Sequence, residues 1–154
     1  MFLSGMGGTG KSEVIKAFTH FAEKVSACFG WEFNDNTVVI SALTGSAATE
    51  LDKGMTLHKA VGLNKKQITD QDRLKWKGTK MLVIDEVSFM TVSNLLKADK
   101  QMWILKQIRE LYGSCHVVFS GDFHQLLPIG GAALFQEDTI QFGAINKAVF
   151  LNIS

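Results

Sequence analysis

The chain of 154 residues is poor in cysteine and proline and has no excess of either charge. Its two cysteines, Cys28 and Cys115, have the spacing of neither metal ligands nor a redox pair, which argues against both kinds of site. Both lie in apolar sequence, which predicts buried, reduced thiols in a reducing, intracellular compartment. A formal net charge of +1 excludes a polycation, so any nucleic-acid binding requires a local surface.

Long apolar runs are absent as well. No stretch of about 18 apolar residues occurs, and the N-terminus leads into a glycine-rich segment without a signal region. We therefore expect an intracellular protein that is neither bound in a membrane nor secreted; the family resemblance described below implies the nucleus or mitochondrion of a eukaryote, or otherwise the cytoplasm. Repeats and low-complexity tracts are missing, and Pro128 is the only proline. With 46% apolar residues, residues 1–154 are expected to form one domain.

A complete phosphate-binding motif follows the first four residues. Its pattern is Gly-x-x-x-x-Gly-Lys-Ser, formed by Gly5, Met6, Gly7, Gly8, Thr9, Gly10, Lys11 and Ser12. Glycines let successive backbone N–H groups converge on phosphate oxygens, and a following helix adds its positive N-terminus. We expect Lys11 to reach the β- and γ-phosphates of ATP, and the Ser12 hydroxyl to bind the bridging Mg²⁺.

An amphipathic segment follows this motif and predicts a helix that packs on a sheet. Its apolar residues recur with a period of 3.6, whereas the charged residues fall outside the stripe. The stripe consists of Val14, Ile15, Phe18, Phe21, Ala22, Val25 and Phe29. Gly30 ends the predicted helix, and the β-branched run at residues 37–41 is typical of a strand buried on both faces.

Residues 80–85 form an apolar segment that ends in two adjacent acids, Asp85 and Glu86. A strand that delivers carboxylates at its C-terminal end is a Walker B motif, because ligands of open α/β sheets bind at that end. We expect Asp85 to hold Mg²⁺, directly or through water, and Glu86 to polarise the water that attacks the γ-phosphate. The pair favours ATP hydrolysis over binding alone.

A third segment is expected to bring polar residues to the same edge. Residues 92–112 predict a helix that ends at Gly113, and residues 116–120 predict a further strand. Gln125 follows that strand, and its amide can hydrogen-bond both the γ-phosphate and the attacking water, as a sensor of the nucleotide state would. The alternative interpretation is an ordinary surface turn.

Four blocks of sequence occur in order along the chain. They are residues 8–12, residues 44–48 (Thr-Gly-Ser-Ala-Ala), residues 85–88 (Asp-Glu-Val-Ser) and residues 121–126 (Gly-Asp-Phe-His-Gln-Leu), with Thr56-Leu57-His58 and Gly62 as a further match. Together they resemble the first motor domain of superfamily 1B DNA helicases, specifically the Pif/RecD-like group. The first and third blocks occur in many ATPases, whereas the combination with the others is far more specific.

The resemblance implies an ATP-driven motor that translocates 5′ to 3′ on single-stranded DNA and separates duplexes. In such helicases, the segments that contain Thr44, Gly45 and His58 line the DNA track. Hydroxyl and N–H groups around Thr44 suit contacts with the phosphates of DNA, which do not depend on the base sequence. His58 either contacts DNA or packs as an ordinary helix residue.

The expected fold is a three-layer, RecA-like α/β domain with a mainly parallel sheet and helices on both faces. The predicted strands are residues 1–4, 37–41, 80–85, 116–120 and 149–152. Right-handed crossovers would bring the phosphate loop, Asp85, Glu86 and Gln125 to one edge, which is the predicted active site.

The chain also departs from the family pattern. His124 and Leu127 replace an apolar residue and a proline that are usual there. The family uses a second motor domain, whose arginine stabilises charge on the transferring phosphoryl group. The two arginines of this chain, Arg73 and Arg109, lie outside the motifs, and the sequence looks cut at both ends. We therefore expect a second motor domain in a longer chain or in another protein.

Alternatives remain at the level of function. The chain is either the motor domain of a helicase or a truncated nucleotide-binding module, such as a mobile-element remnant, that unwinds nothing. A nucleotide kinase or a GTPase is less well supported, because an acceptor lid and an Asn-Lys-x-Asp motif are missing. Residues 59–80 carry a basic excess that could follow a phosphate backbone. The other interpretation of residues 59–80 is a solvated surface loop with Trp76 packed inward.

Overall fold

The computed structural model describes residues 1–122 and Leu134. Within them, the strands are β1 (Phe2–Ser4), β2 (Val38–Ala42), β3 (Met55–Thr56), β4 (Met81–Asp85) and β5 (His116–Gly121). They form one parallel sheet in the order β1-β5-β4-β2-β3. Four strands are those that the sequence predicts, with ends that differ by at most one residue. The predicted strand at residues 149–152 lies outside the described residues.

The helices connect these strands as right-handed crossovers would. They are α1 (Lys11–Cys28), α2 (Gly45–Glu50), α3 (Leu57–Val61), α4 (Asp70–Lys77) and α5 (Val92–Lys106). Two short 3₁₀ helices, Val87–Phe89 and Leu111–Ser114, precede α5 and β5. In the described part of the chain, no helix is long and apolar enough to cross a membrane.

Alternation of side chains along the central strands produces a core on each face of the sheet. On one face, Val83 and Val118 pack with residues of α1 and α2, including Ile15 and Ala48. On the other face lies a larger cluster that draws on β4, β5 and the remaining three helices. Members of this cluster are Leu57, Val61, Trp76, Leu82, Ile84, Leu95, Met102, Val117 and Phe119. The expected three-layer α/β architecture is therefore confirmed.

Part of the apolar stripe of α1 is more exposed than predicted. Ile15 is buried, but Phe21 and Phe29 are each 66% exposed, and Phe29 stacks on Trp31 with ring centroids 4.9 Å apart. The buried or half-buried side of α1 runs along positions 15, 18, 19, 22, 25 and 26, so Phe21 lies at its exposed margin. Cys28, seven residues after Phe21, lies on the same exposed side, which corrects the expectation of a buried thiol; Cys115 is buried as predicted.

The predicted helix at residues 92–112 is shorter in the structure. It ends at Lys106, because Gln107 adopts a left-handed backbone conformation with φ of 56°. Residues 112–114 are also left-handed and form a tight turn before β5, within which an added Cβ at Gly113 would lie 2.7 Å from Lys106 Cβ. Gly113 therefore marks this turn and not the end of α5.

Candidate nucleotide site

The phosphate loop connects β1 to the N-terminus of α1. Gly8 and Gly10 have φ of 77° and 88°, a region that side-chain-bearing residues rarely adopt. Helices α2 to α5 each begin at a threonine whose side chain accepts an N–H group, whereas α1 begins after Gly10, which has no side chain to cap it. The amino end of α1 is therefore left open for an anion.

The side chain of Lys11 lies folded over this loop. Its Nζ donates to the carbonyls of Gly5 and Met6 at 2.7 and 3.0 Å. Thr9 donates to the same Met6 carbonyl from Oγ1 at 2.8 Å and from its backbone at 3.3 Å. A phosphate group reached by Lys11 would replace the two carbonyls as acceptors, so the lysine has partners both with and without a ligand.

The acidic pair stands at the carboxyl end of β4, as predicted. Asp85 is 6% exposed, and its Oδ1 is buried without a hydrogen-bond partner. Oε2 of Glu86 is likewise buried and unpartnered. Buried carboxylate oxygens are costly without a partner, and Mg²⁺ accepts this kind of ligand. Among the described residues, no cluster of three or more acids, histidines or cysteines could hold a metal alone. Ser12, the other predicted magnesium ligand, lies in the first turn of α1.

Glu86 has an unusual backbone and an unusual electrostatic environment. Its φ of 57° is left-handed, a conformation that costs on the order of 1–3 kcal/mol and occurs often at functional sites. Burial raises the pKa of its carboxyl, the charge of Asp85 raises it further, and the nearby Lys11 ammonium lowers it. The electrostatic effects show that Lys11, Asp85 and Glu86 are brought together, as the motifs predict.

The end of β5 closes the other side of the loop. The Gly5 N–H donates to the Gly121 carbonyl at 3.4 Å, and the Gly7 N–H donates to Asp122 Oδ2 at 3.2 Å. Sequence reasoning missed Asp122, although it stands in a recognised block; an acid directly after an apolar strand was the available signal. Gln125 lies outside the described residues, so its sensor role stays a prediction.

The three predicted DNA-contacting residues follow β2 and β3 at the same edge. Thr44 caps α2 by accepting the Ala47 N–H at 3.2 Å, and Gly45 is exposed with open space beside it. His58 lies half-buried in the five-residue helix α3, where both its packing role and its DNA role remain open. Pairing of β2 with β3 makes the two segments neighbours, because Ala42 stands beside Thr56.

The basic stretch at residues 59–80 is a folded surface segment. Trp76 is 5% exposed and donates from Nε1 to the Ala60 carbonyl at 3.2 Å, so its ring is not open for base stacking. Two of its basic groups pair locally, in ion pairs of 2.6 Å between Lys65 and Asp72 and of 2.8 Å between Arg73 and Asp70. Trp76 is therefore packed inward, as one interpretation predicts, but the segment is not a loop, because it contains the end of α3 and all of α4.

A parallel sheet, with a glycine-rich loop after its first strand and acids after another, defines the class: a RecA-like domain of the phosphate-loop type. The profile of the PIF1-like helicase family matches residues 1–148. The chain therefore belongs to the PIF1-like helicase family, in agreement with the resemblance of its motifs.

Individual relatives agree with this assignment. The chain is similar to the ATP-dependent DNA helicase RRM3 of Saccharomyces cerevisiae, with 36% identity over 143 residues, covering 84% of this chain and 18% of that protein. It is also similar to the ATP-dependent DNA helicase Pif1 of Psychrobacter sp., with 28% identity over 155 residues, covering 92% of this chain and 22% of that protein. Among solved structures, the Pif1 helicase of Candida albicans matches with a TM-score of 0.66 and 25% identity, over 89% of this chain and 33% of that one.

Proposed function

We propose that residues 1–154 are the ATP-binding first motor domain of a PIF1-like DNA helicase and that they hydrolyse ATP with Mg²⁺. In the full-length protein, this reaction would drive 5′ to 3′ translocation on single-stranded DNA and duplex unwinding, inside the cell. The chain spans 18% and 22% of two curated helicase relatives, so these activities belong to the proposal. One observation carries it: an uncapped, glycine-rich helix start lies near two acids, each of which buries an oxygen that lacks a partner.

In this proposal, the phosphate loop binds the triphosphate. Backbone N–H groups at the α1 end of the loop surround the β-phosphate, and the N-terminus of α1 adds positive potential. The Lys11 ammonium moves from the Gly5 and Met6 carbonyls to the phosphate oxygens. Both arrangements give the ammonium hydrogen-bond acceptors, which keeps the cost of exchange low.

Ser12 and Asp85 would hold Mg²⁺ together with phosphate oxygens. The unpartnered Asp85 Oδ1 fits this use, because a coordinating carboxylate needs a free oxygen. When bound, Mg²⁺ neutralises charge that develops on the phosphates. Glu86 would accept a proton from the attacking water, and its raised pKa makes the carboxylate a stronger proton acceptor than an ordinary glutamate. Gln125 would sense the γ-phosphate.

Single-stranded DNA would pass over the segments that follow β2 and β3. Thr44 and Gly45 would contact its phosphates through hydroxyl and backbone groups, and His58 would lie beside the same path. Support comes from the motif resemblance and from relatives that are named DNA helicases. The Leu43 N–H donates to the Asp85 carbonyl at 3.3 Å, so this segment is attached directly to the proposed magnesium site.

A second motor domain would supply the arginine that the reaction needs. Arg73 lies on α4, and Arg109 lies between α5 and β5, at the amino edge of the sheet and away from the phosphate loop. We propose that the second domain belongs to a longer chain or to another protein. If neither exists, the chain is the truncated nucleotide-binding module that forms the alternative.

Steady-state ATP hydrolysis by the purified chain tests the proposal, with and without an oligothymidylate strand. The Lys11→Ala variant provides the background rate. Turnover that single-stranded DNA stimulates would support a motor domain whose DNA and nucleotide sites are coupled. ATP binding without any turnover would favour the truncated module, and the absence of ATP binding would contradict both.

A further inference from the structure

Asp122 is one of three buried aspartates in the described part of the chain, and the proposed reaction assigns no role to it. It is 5% exposed and directly follows β5. Its Oδ2 accepts the Gly7 N–H at 3.2 Å. A hydrogen bond to a buried carboxylate is charge-assisted and stronger than one between neutral groups. This bond therefore holds the phosphate loop firmly at the position of Gly7.

The bond joins two distant parts of the chain. Gly7 and Asp122 are 115 residues apart in sequence, whereas Thr9 and Lys11 make their loop contacts to residues no more than six positions away. A parallel contact from the Gly5 N–H to the Gly121 carbonyl, at 3.4 Å, supports the loop at its base. The side chain of Asp122 thus attaches the middle of the loop to the sheet.

The attachment point is closely packed. An added Cβ at Gly121 would lie 3.0 Å from both Cγ1 and N of Val87, because the end of β5 packs closely on the segment after the acidic pair. Asp122 therefore follows a residue that contacts this segment directly. A loop bonded to Asp122 is thus attached to the same part of the sheet as Asp85 and Glu86.

Such an attachment matters because the loop is rich in glycine. Ordering each free residue costs conformational entropy, and a loop that is ordered before the ligand arrives avoids this cost during binding. Lys11 must leave its carbonyl acceptors when phosphate binds, whereas the bond from Gly7 to Asp122 can persist. The bond from Gly7 to Asp122 is therefore suited to hold the loop both before and after phosphate binds.

We propose that Asp122 is a positioning residue that fixes the phosphate loop, through the Gly7 amide, at the spacing required for a nucleoside triphosphate. This inference rests on the proposed function. It assigns to Asp122 no contact with the nucleotide or with the reacting atoms.

The test combines a measurement without nucleotide and one with it. Hydrogen exchange of the Gly7 amide, followed by NMR in the free chain, reports the contact itself. Titration with the fluorescent analogue MANT-ATP reports the affinity. We expect Asp122→Ala to accelerate Gly7 exchange and to raise the Kd for MANT-ATP about tenfold, as loss of one hydrogen bond to a charged group implies. Asp122→Asn keeps an acceptor oxygen and should restore both within about threefold.

Matched variants separate this role from a general effect. Asp35→Ala removes the same charge from an exposed turn before β2 and should change neither quantity. If Asp122→Ala does not fold, Asp122→Ser keeps a polar side chain that is too short to reach Gly7 and should show the same loss. Unchanged Gly7 exchange, or a lower melting temperature with an unchanged Kd, would overturn the inference. If the wild-type chain binds MANT-ATP no better than Lys11→Ala does, the proposed function fails, while Gly7 exchange still judges the Asp122 contact.

Discussion

The amino ends and the carboxyl ends of the parallel strands form two opposite edges of the sheet. The charged groups at these two edges obtain hydrogen-bond partners in different ways. At the amino edge, Lys106 Nζ donates to the carbonyls of Trp76, Lys77 and Thr79 at 3.0, 3.3 and 2.8 Å, and so closes the C-terminal end of α4. Asp99 nearby accepts the Tyr112 N–H at 2.6 Å. Here the chain supplies a partner for each of these charged side chains, so their role is to stabilise the fold.

At the carboxyl edge, some atoms of the charged groups lack hydrogen-bond partners. Lys11 rests on two loop carbonyls, while Asp85 and Glu86 each bury an oxygen that has no partner. Glu86 also holds a strained backbone conformation. Lys11 and Lys106 make similar hydrogen bonds, yet only the first lies in the proposed nucleotide site. In the proposed function, these charged groups are satisfied by folding at the amino edge and by binding at the carboxyl edge.

The largest expected effect comes from Glu86→Gln, which removes the proposed proton acceptor and keeps the shape of the side chain. ATP turnover should fall about a thousandfold, within the range that a positioned base contributes, while the Kd for ATP stays within about threefold. Single-turnover hydrolysis and MANT-ATP titration measure the two quantities. Glu50→Gln removes another acid whose charge acts on Glu86 and should affect turnover far less.

Lys11→Ala should weaken Mg-ATP binding about a hundredfold, because a buried phosphate would lose charge-assisted hydrogen bonds. The free energy of unfolding should change by less than about 0.5 kcal/mol, since water can replace the lysine at the exposed loop carbonyls. Lys16→Ala, which removes an exposed ion pair from the same helix, serves as the control. Equal losses of ATP binding in Lys11→Ala and Glu86→Gln would contradict the division of roles between the two residues.

Lys106→Met should show the opposite pattern. We expect a loss of about 2 kcal/mol in the free energy of unfolding, because three carbonyls at the end of α4 lose a charged donor, with no change in the Kd for ATP. Urea denaturation measures the first quantity. Lys97→Met on the exposed face of α5 is the matched control. A loss no greater than that of the control would remove the basis for the comparison of the two edges.

Features that depend on neighbouring residues could be predicted from the sequence. The pattern of residues 5–12 specifies its own loop, and the apolar run before Asp85 specifies a buried strand. The alternation within β4 and β5 also explains why helices cover both faces of the sheet. Strand β3 has only two residues, which is too short to show any periodicity.

Features that depend on distant contacts could not be predicted. The end of α5 is set by the turn at Gln107 and by contacts from Lys106 to residues 27 to 30 positions earlier. The exposure of Phe21 depends on which side of α1 packs against the sheet. The contact between Gly7 and Asp122 spans 115 residues. In each case the outcome depends on a partner that lies elsewhere in the chain.

The smallest expected effect concerns Asp72, a carboxylate that has hydrogen-bond partners within the chain and lies away from Lys11 and Lys106. Thr69 and Asp72 cap α4 reciprocally: the Thr69 N–H donates to Asp72 Oδ2 at 3.1 Å, and the Asp72 N–H donates to Thr69 Oγ1 at 3.2 Å. The hydrogen bond from Lys65 and then the one from the Thr69 backbone lower the pKa of Asp72 to about 2. The folded state therefore binds this proton less readily than the unfolded state, so the contribution of Asp72 to stability is complete above about pH 4 and is lost as the pH falls towards 2.

Melting temperatures of the wild type and of Asp72→Asn should accordingly differ most above pH 4 and converge as the pH approaches 2. Asp70→Asn provides the control, because its carboxylate lies two residues away on the same helix and is 95% exposed in its ion pair with Arg73. Its melting temperature should differ little from that of the wild type at any pH. The two melting temperatures could instead differ by a constant amount down to pH 2. The charge of the Asp72 carboxylate would then not stabilise the cap, and its hydrogen bonds within the chain would not have the stabilising role that the comparison of the two edges assigns to such groups.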